Sequence, residues 1–367
     1  KKLAVKLEET RQKLTQTEQA LKLVNEQIKL NKNGFYQFGV NLENVGAKLQ
    51  SVGKKISETG TQLTAKVTAP VIALGTACIT TFTSFDDSMK QVQATMGLVA
   101  GSSAEADKSI ALLSATAKEM GATTKYTASD AADALNYLAM AGYTAEQACE
   151  ALPDVLNLAQ SGGLDLAYAS DLATDAMSAL GLQMSDLGTF SDQLAVAAQK
   201  SNTNVGQLGE AILTVGGTAK NLAGGTVELA TSLGILADNG IKGAEGGTAL
   251  RNVILSLTAP TDQAAKRMKK LSLNVYNAQG DMRPMNDILN DLNGVMGDMS
   301  QKQKTNLLNT LFNKTDLKAV NALLANSGAR FDELSGYIEN SDGAAAQMAA
   351  TMESGIGGAF RELQSAV

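Results

Sequence analysis

The sequence contains no histidine and no tryptophan, and it has two cysteines and four prolines among 367 residues. Without histidine, Ser-His-Asp and Cys-His hydrolases are excluded, as are zinc sites of the H-E-x-x-H kind. Cys78 and Cys149 show no C-x-x-C spacing and make no framework for a small stapled fold. They allow one disulfide or two buried free thiols, of which we favour the thiols.

The sequence has 31 basic and 37 acidic side chains, which give a net charge of −6. This charge gives no general reason to bind nucleic acid. The charge is unevenly spread. Residues 1–66 have net charge +6, residues 67–250 have −12 and residues 251–367 have 0. A basic leader therefore precedes an acidic middle region and a neutral C-terminal region. This pattern indicates separate parts of the chain that contact different neighbouring molecules or segments.

The leader, residues 1–66, has a heptad repeat. The repeat places apolar residues at intervals of seven, at Leu7, Leu14, Leu21 and Ile28. This spacing predicts N-terminal coiled-coil helices with these four residues in the seam between copies of the chain. The leader's lysines alternate with glutamates and lack the aromatic companions that stack on bases, so a solvated coiled-coil face is favoured over specific nucleic-acid recognition.

Residues 67–85 form a run of 19 residues without charge, close to the length of a membrane span. Pro70, Gly75 and six Thr or Ser residues lower its hydrophobicity, so we predict a buried or interfacial helix. Entry into a bilayer after release from an assembly remains the alternative. The candidate residues for contact with a membrane or with a partner protein are Val71, Ile72, Leu74, Ile79, Phe82 and Phe85.

From residue 85 onwards, short amphipathic patterns follow one another, with helix start and stop signals in order. Ser102 with Glu105 and Thr127 with Asp130 resemble capping boxes, and Asp165, Asn204 and Ser300 open later helices. These signals predict an all-α multi-helix domain. We divide it into an Ala/Gly-rich core (67–260), a helical subdomain (261–342) and the start of a further long helix (343–367). Alternation near 273–283 predicts one small β-hairpin.

Two groups of residues resemble chemical sites. The glycine clusters at 216–217, 224–225 and 240–248 lack the spacing of a phosphate loop, and we interpret them as turns and close helix contacts. The acidic residues Asp86, Asp87, Asp165, Asp171 and Asp175 are interpreted as helix caps and solvated faces. We therefore predict no catalytic residues, metal site or cofactor, although glycosidase carboxylates depend on tertiary spacing that a sequence does not display.

Several phrases between residues 67 and 292 occur together in a recognisable order. They include Ala69-Pro70-Val71, Phe85-Asp-Asp-Ser-Met89, Ala115-Thr-Ala-Lys-Glu-Met-Gly121, Leu135-Asn-Tyr-Leu-Ala-Met-Ala-Gly142, Leu152-Pro-Asp-Val-Leu-Asn-Leu-Ala159, Ser201-Asn-Thr-Asn204, Gly240-Ile-Lys-Gly-Ala-Glu-Gly-Gly-Thr-Ala-Leu-Arg251 and Leu257-Thr-Ala-Pro260. In this order they resemble the core of phage tail tape-measure proteins, which occur in long-tailed phages and in phage-tail-like bacteriocins.

The resemblance implies a structural protein, not an enzyme, that is assembled in the bacterial cytoplasm and located in a virion tail or tail-like particle. It implies a tape measure that sets tail tube length and connects to the baseplate hub. The hub is then the partner protein for the six candidate contact residues between Val71 and Phe85. The expected partners are three or six copies of itself, tail tube proteins and hub proteins. We expect this chain to be a segment of a longer protein. The alternatives are a membrane-active segment inserted during ejection, with transient membrane contact, and a segment of a cell-wall hydrolase.

Overall fold

The computed structural model describes residues 69–353, with the side chains of residues 83–352. All regular elements in this range are helices, namely 15 α-helices and three short 3₁₀-helices. The predicted all-α class is confirmed. The predicted coiled-coil leader lies outside the described residues. The described residues divide into two units, the first up to Cys149 and the second from Glu150 onwards.

The described part of the first unit contains three complete helices and the start of a fourth. They are α1 (Ala69–Met96), α2 (Ala104–Thr123), α3 (Ala128–Met140) and the first residues of α4 (Ala145–Gly162). Helix α3 packs against both α1 and α2, and Val92, Leu113 and Leu135 are fully buried. The apolar faces of these three helices thus meet in one small core.

The second unit contains the end of α4 and the remaining helices. They are α5 (Leu166–Leu180), α6 (Leu187–Lys200), α7 (Val205–Val215), α8 (Gly225–Asp238), α9 (Gly243–Thr258), α10 (Asp262–Lys270), α11 (Met285–Met296), α12 (Gln301–Leu311), α13 (Leu317–Ala325), α14 (Ala329–Glu339) and α15 (Ala344–Glu353). The 3₁₀-helices are Met184–Asp186, Gly216–Asn221 and Lys314–Asp316.

Polar side chains cap the helices largely where local sequence predicts them. Thr127 and Asp130 form a reciprocal capping box at the start of α3. The Asp165 carboxylate accepts from the Ala167 N–H at the start of α5, and Asn204 accepts from the Gln207 N–H at the start of α7. The predicted cap at Ser102 is wrong by one residue, because the Ser103 hydroxyl accepts the Ala106 N–H.

Helix α8 is the buried centre of the second unit. Ten consecutive residues, 228–237, are buried, and α8 packs against α6, α9, α13 and α14. An ordinary surface helix shows one apolar stripe, whereas a helix that is buried all round needs partners on every side. The fold of this unit is therefore built around α8.

Helices α7 and α9 approach each other closely because α9 has a glycine at their crossing. A Cβ atom on Gly247 would stand 2.2 Å from the Ala211 carbonyl oxygen of α7, which is well inside van der Waals contact. Gly240 and Gly243 take positive φ angles of 73° and 56° in the turn before α9 and at its first residue. This glycine cluster therefore makes turns and a close helix contact, as its sequence predicts.

The predicted β-hairpin near 273–283 is wrong, because no strand forms there. The segment contains one isolated antiparallel bridge, between Tyr276 and Met282. The Asn277 side-chain oxygen accepts from the backbone N–H groups of Gln279 and Asp281, which closes a tight turn. Two short arms beside such a turn are too few residues for an independent two-stranded sheet.

Helix α15 is held against α6 by small residues and polar bonds. Its buried positions are Ala345 and Ala349. The Asp192 carboxylate of α6 accepts the N–H groups of Gly343 at 2.7 Å and Ala345 at 2.8 Å. The Gln160 amide of α4 donates to the Ala349 carbonyl at 2.7 Å. Directed hydrogen bonds therefore position α15 more than apolar burial does.

Candidate functional site

The six predicted membrane or hub residues, Val71, Ile72, Leu74, Ile79, Phe82 and Phe85, all belong to helix α1. Phe85 is half-buried, and the Lys118 Nζ atom lies 5.3 Å from the centroid of its ring. Burial lowers the pKa of Lys118. The side chains of the other five residues lie outside the described ones. Among the helices that the structure describes, none is long and apolar enough to cross a membrane.

The four predicted seam residues, Leu7, Leu14, Leu21 and Ile28, lie outside the described part of the chain. Their contact between copies stays a prediction.

Cys149 is a half-buried free thiol, and burial raises its pKa despite a hydrogen bond with Thr116.

The acidic residues that could have formed a hydrolytic or metal site are distributed over helix ends and exposed surfaces. Asp165 caps α5, while Asp86, Asp87, Asp171 and Asp175 are exposed. Within residues 83–352, no group of three or more His, Cys, Asp or Glu side chains could hold a metal ion. The structure brings none of these carboxylates together as a site.

The glycine-rich phrase at 240–251 borders a cavity of about 320 Å³ in the second unit. The cavity lies between the start of α9 and the 3₁₀-helix Lys314–Asp316 with the first turn of α13, which follows it directly. Its lining residues are Ile241, Ala244, Glu245, Thr248, Ala249, Thr315, Asp316, Lys318 and Ala319. Ile241, Ala249 and Ala319 are buried and apolar. The charged and hydroxyl groups of the walls belong to Glu245, Thr248, Thr315, Asp316 and Lys318.

Asp316 is the buried charge of this cavity, with 5% of its surface exposed. Asn252 donates to its Oδ1 atom at 3.0 Å, and its Oδ2 atom has no hydrogen-bond partner among the described residues. At the rim, the Lys318 Nζ atom lies 3.5 Å from Glu245 Oε1. The Oδ2 atom is enclosed by protein atoms, so it is not open to the cavity. The cavity, with its apolar walls and charged rim, is the candidate binding site of the second unit.

Glu228 is a second buried carboxylate, and it joins two helix starts. Its Oε2 atom accepts the Gly224 N–H at 2.9 Å, before α8, and its Oε1 atom accepts the Met285 N–H at the start of α11. Burial raises the pKa of Glu228, against the lowering effect of these two hydrogen bonds; the charge of Asp287 raises it further. Because both oxygens are occupied within the fold, Glu228 has a structural role.

Sequence reasoning missed both Asp316 and Glu228. Each is one acidic residue in a helical pattern that elsewhere places acids at caps and on exposed faces. No local motif distinguishes them, because their burial results from contacts across 64 residues with Asn252 and across 57 residues with Met285. The neighbouring glycine cluster was the only signal near the cavity.

Comparison with known proteins connects this helical chain to phage tails. The family described as "Phage-related minor tail protein" matches residues 114–313. The tape measure protein of Pneumococcus phage Dp-1 is 32% identical over 308 residues, which are 82% of this chain and 26% of that protein. The probable tape measure protein of Escherichia phage P2 is 28% identical over 285 residues, which are 77% of this chain and 34% of that protein. No solved structure matches the chain.

The matched region includes α3 to α12 in full and covers more than half of the chain. The chain therefore belongs to the phage-related minor tail protein family. It spans about a quarter and a third of the length of the two relatives. The predicted resemblance to tape-measure proteins is confirmed.

Proposed function

We propose that this chain is a folded segment of a tape measure protein that sets tail tube length and connects to the baseplate hub. The observation that carries the proposal is the 32% identity over 308 residues with a phage tape measure protein. The helical fold supports it, because an α-helix advances a fixed 1.5 Å per residue and makes a regular ruler.

The segment itself contributes little to the measured length. Its longest described helix, α1, has 28 residues and spans about 42 Å. The helices of the second unit are shorter and pack on one another around α8. We therefore assign assembly or docking to this segment, and length measurement to helices elsewhere in the full-length protein. The domain boundaries after residues 66, 260 and 342 belong to the same proposal.

The test is tail length by electron microscopy. An in-frame deletion of about 70 residues from the long helical part of the full gene should shorten the tail by about 105 Å. As a control, an unrelated helical sequence of the same length in the same place should restore the original tail. Tails of unchanged length after the deletion would contradict the ruler and leave the hub connection as the proposed role.

Self-association through the leader is the second part of the proposal. Inside a tube of cyclic symmetry, several copies, three or six, would pack side by side. Asp substitutions at Leu14 and Leu21 place charges in the seam and should lower the oligomer mass of a leader peptide in light scattering. Asp substitutions at two positions outside the seam, Gln12 and Gln19, serve as the control. An unchanged mass in the seam variant would refute the contact.

The membrane-active alternative rests on the uncharged run at 67–85. Helix α1 contains this run from Ala69 onwards and extends beyond it to Met96. The protein should then release dye from liposomes, and replacement of Ile72 and Ile79 by Asp should abolish the release. Complete inertness of the native protein would reject it.

The hydrolase alternative predicts clearing of purified peptidoglycan, and no clearing at high protein concentration would reject it for this segment.

A further inference from the structure

Helices α10 and α12 carry a strongly basic surface. They pack against each other. Helix α10 contains four basic residues and one acidic residue, and α12 contains two basic residues and none acidic. Ala264 and Met268 form the buried side of α10, while Lys266, Lys269 and Lys270 are exposed. Because these three lysines lie three and four positions apart, they share the outer side of α10. We call them the basic face.

Helix α5, in the same unit, carries the opposite charge. It contains Asp171 and Asp175 and no basic residue, and both aspartates are exposed. Tyr168, which is 36% exposed, lies one turn before Asp171, so these three side chains share the outer side of α5. We call them the acidic face. Its tyrosine ring adds a surface that attracts an ammonium group.

Neither face has its charges neutralised within the described residues. All ion pairs between residues 83 and 352 join other side chains. Like charges three or four positions apart on a helix repel each other, so each face is stabilised by contact with opposite charge. The fold of one chain does not supply this contact in the described residues, whereas a second copy presents both faces.

We propose that the basic face of one copy of this chain binds the acidic face of a second copy. Lys266 and Lys270 are four residues apart, as are Asp171 and Asp175, so each pair spans about 6 Å along its helix. Two such helices laid side by side therefore form two Lys–Asp contacts at once. The contact uses the second unit alone, so it goes beyond the proposed leader seam and does not depend on it.

The composition of α10 and α12 disfavours other anionic partners. Proteins that bind single-stranded nucleic acid stack its bases on aromatic side chains, and neither helix contains an aromatic residue. Helices that lie on membranes expose an apolar side, whereas Met268 of α10 and Leu307, Leu308 and Leu311 of α12 are buried. A carboxylate-bearing helix of the same spacing is the complement that the described residues supply.

Carbodiimide cross-linking of the full chain tests this contact, because the reagent joins a carboxylate to a lysine only where the two touch. An equal mixture of unlabelled and isotope-labelled protein is treated at about 0.01 M ionic strength, where charges act over about 30 Å. We expect mixed-isotope peptides that join Asp171 or Asp175 to Lys266 or Lys270, and fewer of them at about 0.15 M. Absence of such links would overturn the proposal, and this result needs no variant to fold.

Charge reversal then identifies the pairing. Asp171→Lys with Asp175→Lys should lower the salt-sensitive part of the association constant, measured by sedimentation equilibrium, at least about tenfold. Lys266→Glu with Lys270→Glu should have the same effect. A chain with all four substitutions should regain association, because the charges are exchanged between the two faces. Failure of this chain to regain association would contradict pairing between these faces.

The matched control is Glu339→Lys with Asp342→Lys. It changes the net charge by the same amount as the α5 variant, at exposed positions outside both faces, and association should not fall. An equal loss in the control would reduce the effect to net charge and reject the specific contact. The proposed leader seam is apolar, so association through it should respond little to salt, and failure of one contact does not imply failure of the other.

Anionic vesicles of phosphatidylglycerol and a single-stranded oligonucleotide are the competing probes for the basic face. We expect no binding of either that depends on Lys266 and Lys270. Binding that is lost with Lys266→Glu and Lys270→Glu, without links between copies, would assign the basic face to a different partner and overturn the second copy as its occupant.

Discussion

Helices α8 and α15 lie in the same unit, yet different forces hold them in place. Helix α8 buries ten consecutive residues and contacts helices on several sides. Helix α15 buries Ala345 and Ala349. It is positioned by two N–H groups that donate to the Asp192 carboxylate and by the Gln160 amide, which donates to the Ala349 carbonyl. Apolar burial scales with the area removed from water, whereas each net hydrogen bond adds only about 1 kcal/mol. The unit therefore has a strong centre and a weakly attached last helix.

The largest expected loss of stability comes from a substitution that creates a cavity beside α8. Leu236 is fully buried, so Leu236→Ala should lower the free energy of unfolding by about 2–5 kcal/mol, measured by urea denaturation. Met352 of α15 is 51% exposed, and Met352→Ala should change the same quantity by less than about 0.5 kcal/mol. Equal losses in the two variants would contradict the difference between the helices.

The next effect concerns Glu228 and pH. Because its folded pKa is raised, the folded state holds this proton more tightly than the unfolded state does. Stability from this group is therefore greatest below the unfolded pKa, about 4.3, and falls as pH rises through the folded pKa. The loss is about 1.4 kcal/mol for each unit by which the pKa is raised.

Glu228→Gln removes this titrating group, so the free energy of unfolding should fall less steeply as pH rises. The measurement is urea denaturation of the native protein and the variant between pH 4.5 and 8. The difference between their free energies of unfolding should shift in favour of the variant as pH rises. A difference that stays constant over this range would show that Glu228 does not titrate there. Asp287→Asn, which removes a charge that raises the same pKa, should reduce the slope only partly.

The smallest effect belongs to the cap of α15. Asp192→Ala removes the acceptor for two N–H groups at the start of α15 and should cost about 1 kcal/mol, the usual value of an N-cap. Hydrogen exchange should accelerate at the amides of α15 and stay unchanged at those of α8. The control is Asp342→Ala, an exposed neighbour. Equal acceleration in α8 would mean that the two helices open together.

Local signals predicted most helix starts, while tertiary contacts decided the rest. Thr127 with Asp130 and Ser300 with Gln303 cap helices within three residues, so sequence alone can identify them. The turn at Asn277 shows the opposite case. Alternation of apolar and polar residues predicted strands there, but Tyr276 instead donates its hydroxyl to the Thr258 carbonyl at the end of α9, at 2.7 Å.

The candidate site depended even more on distant contacts. The glycine phrase at 240–251 was visible in the sequence, and its role in a close helix crossing was predicted from the residue type. The burial of Asp316 was not predicted, because it requires both α9 and α13 to be in place. An acidic residue gives no sign in sequence of whether its carboxylate will meet water or a cavity wall.

The way in which α15 is attached also has a mechanical consequence. A pulling force applied to the chain beyond residue 353 would act first on α15. Two buried alanines, hydrogen bonds to Asp192 and from Gln160, and a contact between Gln199 Nε2 and Met348 Sδ hold this helix. Such contacts break one after another at low force, while α8 yields only when the helices around it separate together. Tension from that end would therefore extend the chain in steps, with α15 drawn out before the centre opens.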